Sequence, residues 1–344
     1  MSHNQEFAYK KFTYKLENGN HLVLHNKEEP ETFFKYYSVD KYKMDALIKN
    51  YLYATHPYSF NDSIDSSELL VNFSNITIER YKSIFTQLVK PEELAKYNLD
   101  EAFTQDKENE FKYIRSFVYQ YFTRQIGLIS LTTEPLNILM WSHYATESGF
   151  VIELDKKELL GNMKKLNADI PNFCLRPIQY VKKLNGIDMF RDEFKTPDIP
   201  LFLYMTSIKR KEWKYEDEWR LSIYKKNMGL PLSYLNPGNF DYEGENERKL
   251  FYSREAIKSI ILGKYFFNGN NSEKVNPDMS IELKSTIFLD FVNHIYENYN
   301  DRLFMSGELE KGTEFGRSVG RIELEKIDCK TFKIQEKDEV FYKL

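Results

Sequence analysis

The first apolar–polar alternation predicts a β-hairpin over residues 10–25. Phe12-Thr13-Tyr14-Lys15-Leu16 and His21-Leu22-Val23-Leu24-His25 flank Asn18-Gly19-Asn20, a strong turn signal. A polar break at Lys27–Thr32 ends this arm, and Phe33-Phe34-Lys35-Tyr36-Tyr37 reads as a strand. Val39–Lys49 has Met44, Leu47 and Ile48 at helical spacing, with Ser38 as the expected N-cap. Tyr51–Ala54 is a second short strand, and residues 58–66 form a loop. Residues 75–125 read as helical, with Pro91 opening a helix. Their longest run, Lys107–Arg124, aligns Phe111, Ile114, Phe117, Val118 and Tyr121 on one stripe.

Further strands are expected at Ile126–Leu131, Gly149–Leu154, Arg176–Val181, Trp219–Tyr224 and Ile257–Leu262. Leu136–Thr146, Pro200–Lys211 and Thr286–Tyr296 read as helices, and the tail adds strands near Arg321–Ile327 and Lys330–Ile334. Ser306–Ser318 is polar and reads as a surface loop. No steady β-α rhythm appears, which favours an α+β fold with a mixed sheet core and flanking helices. The expected organisation is an N-terminal hairpin arm (1–30), a main α+β domain (31–265) and a C-terminal extension (266–344) packed on that domain. No Gly-rich phosphate loop is present, so a standard Rossmann or Walker nucleotide site is not expected.

Composition narrows the function classes. The 344 residues include 26 Phe, 25 Tyr and 3 Trp, ample for a folded core. Lys+Arg is 48 against Asp+Glu 52, a net charge of -4 that argues against a generic nucleic-acid coat. Cys174 and Cys329 are too few for a disulfide framework or a four-thiolate zinc site, and ordinary thiols fit a reducing compartment. The start, Met-Ser-His-Asn-Gln-Glu, has neither a basic nor an apolar signal region. No run approaches the ~18 apolar residues of a membrane span. A cytoplasmic protein without a membrane partner is expected.

Three constellations carry candidate chemistry. The first joins Lys35-Tyr36-Tyr37 to Phe60-Asn61-Asp62-Ser63-Ile64-Asp65. Read plainly, the second segment is an Asx turn that seats Phe60; read for function, Asn61 and Asp62 edge a cleft. The second is Met140-Trp141-Ser142-His143-Tyr144-Ala145. On a helix Trp141 and Ala145 share a face while His143 points away from it. Its alternatives are a hydrogen-bonded structural histidine, or an aromatic wall for a base or nicotinamide ring. The third is Trp213-Lys214-Tyr215-Glu216-Asp217-Glu218-Trp219-Arg220-Leu221-Ser222-Ile223. Strand alternation points Trp219, Leu221 and Ile223 to the core and Glu218, Arg220 and Ser222 to the other face. That face is either solvated, or a cleft in which Arg220 or Lys35 orients the Glu218 carboxylate for general-base or cation-stabilising chemistry.

The order of these stretches, with Ile129-Ser130-Leu131 and Gly149-Phe150-Val151-Ile152-Glu153 between them, resembles the bacterial domain of unknown function family 2971 over about residues 33–265. Met-Trp-Ser-His-Tyr-Ala and Tyr-Glu-Asp-Glu-Trp-Arg are its specific parts. Ser63 stands where the family has proline after Asn-Asp. The family implies no activity. A weaker similarity, in motif order and in the Glu216-x-Glu218 spacing, links the chain to ADP-ribosyltransferases. That resemblance implies a transferase using NAD on a macromolecular target. Glu218, His143 and Tyr144 would be catalytic, with Glu218 holding the nicotinamide-ribose hydroxyl. Lys35, Tyr36, Asn61, Asp62, Trp141, Glu216 and Arg220 would contact the nucleotide. Two other classes stay open. One is a non-enzymatic nucleotide- or partner-binding sensor module. The other is a metal-dependent nuclease or phosphoesterase with Asp62, Asp65, His143 and Glu218 as ligands of magnesium or manganese.

Overall fold

The hairpin alternation folds as expected and gains a strand. In a computed structural model, β1 (Gln5–Tyr9), β2 (Phe12–Glu17) and β3 (Asn20–Leu24) form an antiparallel three-stranded sheet. The structure describes residues 5–18, 20–73, 75–168, 172–188, 198–235, 244–268, 274–276, 278, 280–311 and 314–340. The small sheet buries Phe7, Phe12, Tyr14 and Val23 against the body of the protein.

β4 (Thr32–Tyr37) leads into α1 (Lys41–Ile48). Asp40 caps α1, its Oδ1 accepting the Tyr42 and Lys43 N–H groups at 3.0 Å each. The expected cap, Ser38, instead donates its hydroxyl to Asp40. β5 (Tyr51–Tyr53) and β6 (Val71–Asn72) precede α2 (Ile78–Leu88), α3 (Pro91–Leu94), α4 (Leu99–Glu108) and α5 (Lys112–Thr123). The run expected as one helix over Lys107–Arg124 is broken at Phe111, whose backbone is left-handed. The reason is Asp106. Its buried carboxylate accepts the Tyr113 and Ile114 N–H groups at 2.8 and 2.9 Å and so caps the second helix.

β7 (Ile126–Thr132), α6 (Ile138–Tyr144), β8 (Phe150–Asp155) and α7 (Lys156–Leu166) follow. The strand expected over Arg176–Val181 divides into β9 (Asn172–Pro177) and β10 (Gln179–Val181), with the short β11 (Ile187–Asp188) after them. The helix expected over Pro200–Lys211 stops early: α8 is Asp198–Met205, and Ile208–Arg210 is a strand, β12, parallel to β10. β13 (Glu218–Tyr224), α9 (Leu232–Leu235), β14 (Lys249–Phe251) and β15 (Ile257–Leu262) precede the tail. The tail holds β16 (Lys274–Val275), β17 (Ser280–Glu282), α10 (Thr286–Tyr299), β18 (Leu303–Lys311), β19 (Glu314–Lys326) and β20 (Thr331–Val340). Ser306–Ser318, expected as a loop, lies almost wholly in the long β18–β19 hairpin, with Gly307 paired to Ser318. Its polar composition hid a strand pair whose Ser306 and Arg317 are buried.

Among the described residues the main sheet has eleven strands in the order β16-β17-β20-β19-β18-β15-β8-β4-β7-β13-β9. The α+β class is thereby shown. Strands β16 to β20 extend the same sheet, joined through the parallel pair β15–β18. One face carries α1, α7 and α10 over a core that includes Trp219, Leu221 and Ile223. The other face carries α6 near the centre and α2, α4, α5, α8 and the small sheet to one side. No helix among the described residues is long and apolar enough to cross a membrane.

The turn between α6 and β8 shows how tightly the centre is built. A Cβ on Gly149 would sit 2.0 Å from the Tyr37 carbonyl oxygen and 2.6 Å from that of Ala145. Both obstacles are backbone, so neither can rotate away. Gly149→Ala is expected to lower stability by ~1–3 kcal/mol, read as a lower urea midpoint at unchanged slope. An unmoved midpoint would mean that β4 and the end of α6 can part freely.

Candidate functional site

The site starts from a break in sheet pairing. β4 runs antiparallel to β8 from Thr32 to Tyr37, but touches β7 only at Phe34, opposite Thr132. Past that pair the two strands diverge. Four residues back along β7, Thr55 bridges to Leu128. Between these closures the Ser130 carbonyl has no strand partner from this side and instead accepts the Lys35 ammonium at 3.1 Å. A cavity of about 430 Å³ opens at this split, within the ~300–1,000 Å³ usual for small-molecule sites. Strands β4 and β7 form its floor. Its walls come from α6, the loop before Asp65, β12 and the start of β13.

The Glu216-Asp217-Glu218 stretch is bent by its middle residue. A short 3₁₀ turn ends at Glu216, Asp217 adopts a left-handed backbone (φ 41°), and β13 begins at Glu218. Aspartate tolerates this conformation better than most residues. The bend sends the Asp217 carboxylate away from the cavity, to Lys27 and Thr133. Glu216 and Glu218 are thereby turned to one cation: Lys209 Nζ lies 2.6 Å from Glu216 and 3.2 Å from Glu218.

The outward face of β13 is not solvated; its Glu218 and Arg220 line the cavity. Glu218, Arg220 and Ser222 are all buried. Arg220 Nε and Nη2 donate to the two Glu218 oxygens at 2.8 and 3.0 Å. Its Nη1 and Nη2 donate to the Asp65 oxygens at 3.0 and 2.9 Å. Nη1 also reaches the Ser66 hydroxyl and the Thr206 carbonyl, and the Phe60 ring covers the guanidinium at 4.9 Å.

The two glutamates titrate in opposite senses. Burial works to raise the Glu218 carboxyl, but the Arg220 and Lys209 charges and hydrogen bonds from Ser130 and Arg220 outweigh it and hold it down to about 2. Donors from Arg220, Lys209 and Ser130 occupy the roughly four lone-pair positions a carboxylate offers. Burial raises the Glu216 carboxyl, and the neighbouring Glu218 charge raises it further against the pull of Lys209. Glu216 accepts the Tyr144 phenol at 2.5 Å, and that phenol also receives Asn61 Nδ2 at 3.3 Å. Burial and then Glu216 push the Tyr144 phenol up, so it stays a donor.

Of the residues singled out from sequence, Lys35, Tyr36, Asn61, His143, Tyr144, Glu216, Glu218 and Arg220 line this one cavity. His143 stands exposed at its rim, with Nδ1 3.2 Å from the Tyr215 hydroxyl. Tyr36 donates to the Glu134 carbonyl at 2.7 Å and packs edge-on against Trp141. Trp141 itself is fully buried behind the wall, its indole N–H on the Pro135 carbonyl at 2.9 Å. It supports Tyr36 and does not face the cavity, contrary to the sequence expectation. Asp62 is also displaced from its expected role: its Oδ1 accepts the Ile64 N–H at 3.0 Å in an Asx turn, and it does not line the cavity.

Lys209 falls where the pattern predicts a helix, and a lysine between Ile208 and Arg210 looks like any charged surface residue. From sequence Asp65 is a candidate only as a metal ligand. Among the described residues no group of three or more His, Cys, Asp or Glu side chains is placed to hold a metal ion. Of the four residues named for that chemistry, Asp65 and Glu218 pair with Arg220, Asp62 caps its turn, and His143 meets Tyr215.

Both glutamates, Arg220 and the α6 aromatics fall in one stretch of chain. Residues 140–221 match the family described as "Protein of unknown function (DUF2971)". The resemblance to that family is shown over this stretch. It covers the Met140–Ala145 and Tyr215–Arg220 motifs, while Lys35, Asn61 and Asp65 come to the cavity from outside it. No curated protein and no solved structure matches the chain.

Proposed function

We propose that the cavity binds a nucleotide, and that the protein is an ADP-ribosyltransferase-like enzyme using NAD to modify a macromolecular target. The observation that carries this reading is the pair of carboxylates with opposed titration in one aromatic-lined cavity. Sites that divide acid–base labour between two such groups do so through their surroundings. Phe34, Tyr36, Phe60 and Tyr144 offer faces or edges for planar rings.

The roles differ from those expected of the motif alone. Glu218 has no lone pair to spare, so it acts as a fixed negative charge that holds Lys209 and Arg220 in place. Glu216 has fewer donors on it and is the group to accept a ribose hydroxyl. Tyr144 and Asn61 orient it, and Lys209 keeps its charge in check. In the transfer, the bond from ribose to nicotinamide breaks, nicotinamide departs, and a nucleophile of the target takes its place. The two glutamates would favour positive charge developing on the ribose.

The test is NAD consumption by the full chain, read as released nicotinamide, with transfer of labelled ADP-ribose to protein or nucleic acid. Release that needs the intact cavity supports the reading. Binding of NAD without turnover would move the protein to the sensor-module class. Neither binding nor turnover would remove NAD as its ligand.

A further inference from the structure

Each of the other cations lining the cavity has a carboxylate partner. Lys209 and Arg220 share Asp65 and Glu218, Lys209 also holds Glu216, and Lys43 pairs with Asp40 at 2.9 Å. Lys35 differs. Its ammonium donates to the Ser130 carbonyl and lies over the Tyr37 ring at 5.6 Å, and no carboxylate among the described residues lies within ion-pairing distance. A lysine ammonium carries three N–H donors. It occupies the split between β4 and β7, and Lys43 together with the hydroxyl-bearing Thr55 and Ser59 lines the same cavity.

We propose that the split between β4 and β7 is an anion subsite in which Lys35, supported by Lys43, binds a phosphoryl group of the ligand. This rests on the reading of the cavity as a nucleotide site and names the part of the nucleotide that this end takes. A half-buried cation without a counter-ion is unfavourable unless something supplies the missing charge. Lysine meets phosphate as a point charge and does not need the planar fork that arginine requires. The titration of Lys35 agrees. Burial lowers it to about 8, Glu218 opposes that fall and Lys43 deepens it. A bound dianion would reverse the shift.

The sign of the pH effect follows. Lys35 is charged below about pH 8 and loses its charge above it, so anion affinity should fall as pH rises through that value. The other charged or titratable groups lining the cavity are Lys43, Asp65, His143, Tyr36, Tyr144, Lys209, Glu216, Glu218 and Arg220. Lys35→Arg keeps the charge and removes the titration, so it separates Lys35 from all of them.

The experiment measures binding of sulfate, a dianion that does not titrate in this range, and of pyrophosphate to the full chain by calorimetry at fixed ionic strength. Wild type should bind both, with sulfate affinity falling between pH 7 and 9. Lys35→Met should weaken both at least ~10-fold, while Lys35→Arg should retain binding and flatten the pH profile. Lys49→Met, outside the cavity, serves as control. Should Lys35→Met fail to fold, acylation of wild-type lysines read by mass spectrometry replaces it: pyrophosphate should protect Lys35. Equal anion binding by Lys35→Met and wild type, or no protection, would overturn the subsite. Loss of NAD turnover as a property, with Lys35-dependent sulfate binding intact, would overturn the transferase reading alone. NAD turnover without any Lys35-dependent anion binding would overturn the subsite alone.

Discussion

Replacing Arg220 with methionine should lower stability by ~3–5 kcal/mol, the range for breaking a buried ion pair from one side. The guanidinium is fully buried and bridges Glu218 on its own strand to Asp65 from a loop about 155 residues away. Without it, two buried carboxylates share only Lys209, which lies 3.6 Å from Asp65 and 3.2 Å from Glu218. Lysine at 220 should rescue little, since it cannot span both acids with a planar fork. Removing the charge from both sides should be milder: Arg220→Met combined with Asp65→Asn should cost less than the sum of the two single changes. Equilibrium urea unfolding of the four proteins at neutral pH checks this. A drop under ~1 kcal/mol in Arg220→Met would show that water replaces the guanidinium without difficulty.

The same network sets a limit in acid. Glu218 is held well below its ordinary value of 4.5, down to about 2. A carboxyl with a lowered folded pKa adds stability that is present in full above its unfolded pKa. That stability is lost as pH falls toward the folded one. The Glu218 contribution should therefore disappear between about pH 4.5 and about 2. In Arg220→Met that part of the acid limb should become shallow.

Glu216→Gln should cost ~10²–10³-fold in NAD turnover, by comparison with other sites that lose one electrostatic contact to the transition state. The amide keeps the shape and can still accept the Tyr144 phenol, but it loses the charge that faces Lys209. Folding should change less than in Arg220→Met, because Lys209 keeps Asp65 and Glu218 as partners. The contrast is Glu218→Gln. It should destabilise the protein, since its charge balances two buried cations, so its turnover must be read on the folded fraction. Full turnover by folded Glu216→Gln would pass the substrate-contacting role back to Glu218 or end the transferase reading.

Much of the local structure was legible along the chain. Side-chain period is a property of a few neighbouring residues, so β4, β7, β8, β13 and β15 stand where the apolar patterns put them. The alternation at 219–223 assigns the core face of β13, and Trp219, Leu221 and Ile223 are all fully buried. The pairing of the hairpin strands, Glu17 opposite Asn20, and the buried side of α6, with Trp141 and Ala145 inward and His143 out, follow from the same short-range geometry.

What the chain pattern could not decide was the surroundings of each face. A polar side of a strand reads alike whether water or a buried charge network covers it. Only the Asp65 loop, Lys209 and α6 folding over β13 made Glu218 and Arg220 interior residues. Asp62 and Asp65 lie three apart in one loop, yet one closes a turn and the other crosses to Arg220. Lys35 owes its lone position to β4 and β7 parting after one pair, an event in sheet register that no residue spacing records. The bend at Asp217 turns a common Glu-x-Glu run into two carboxylates on one lysine. Secondary structure follows from neighbours in sequence, whereas charge, burial and protonation follow from neighbours in space, which packing alone brings together.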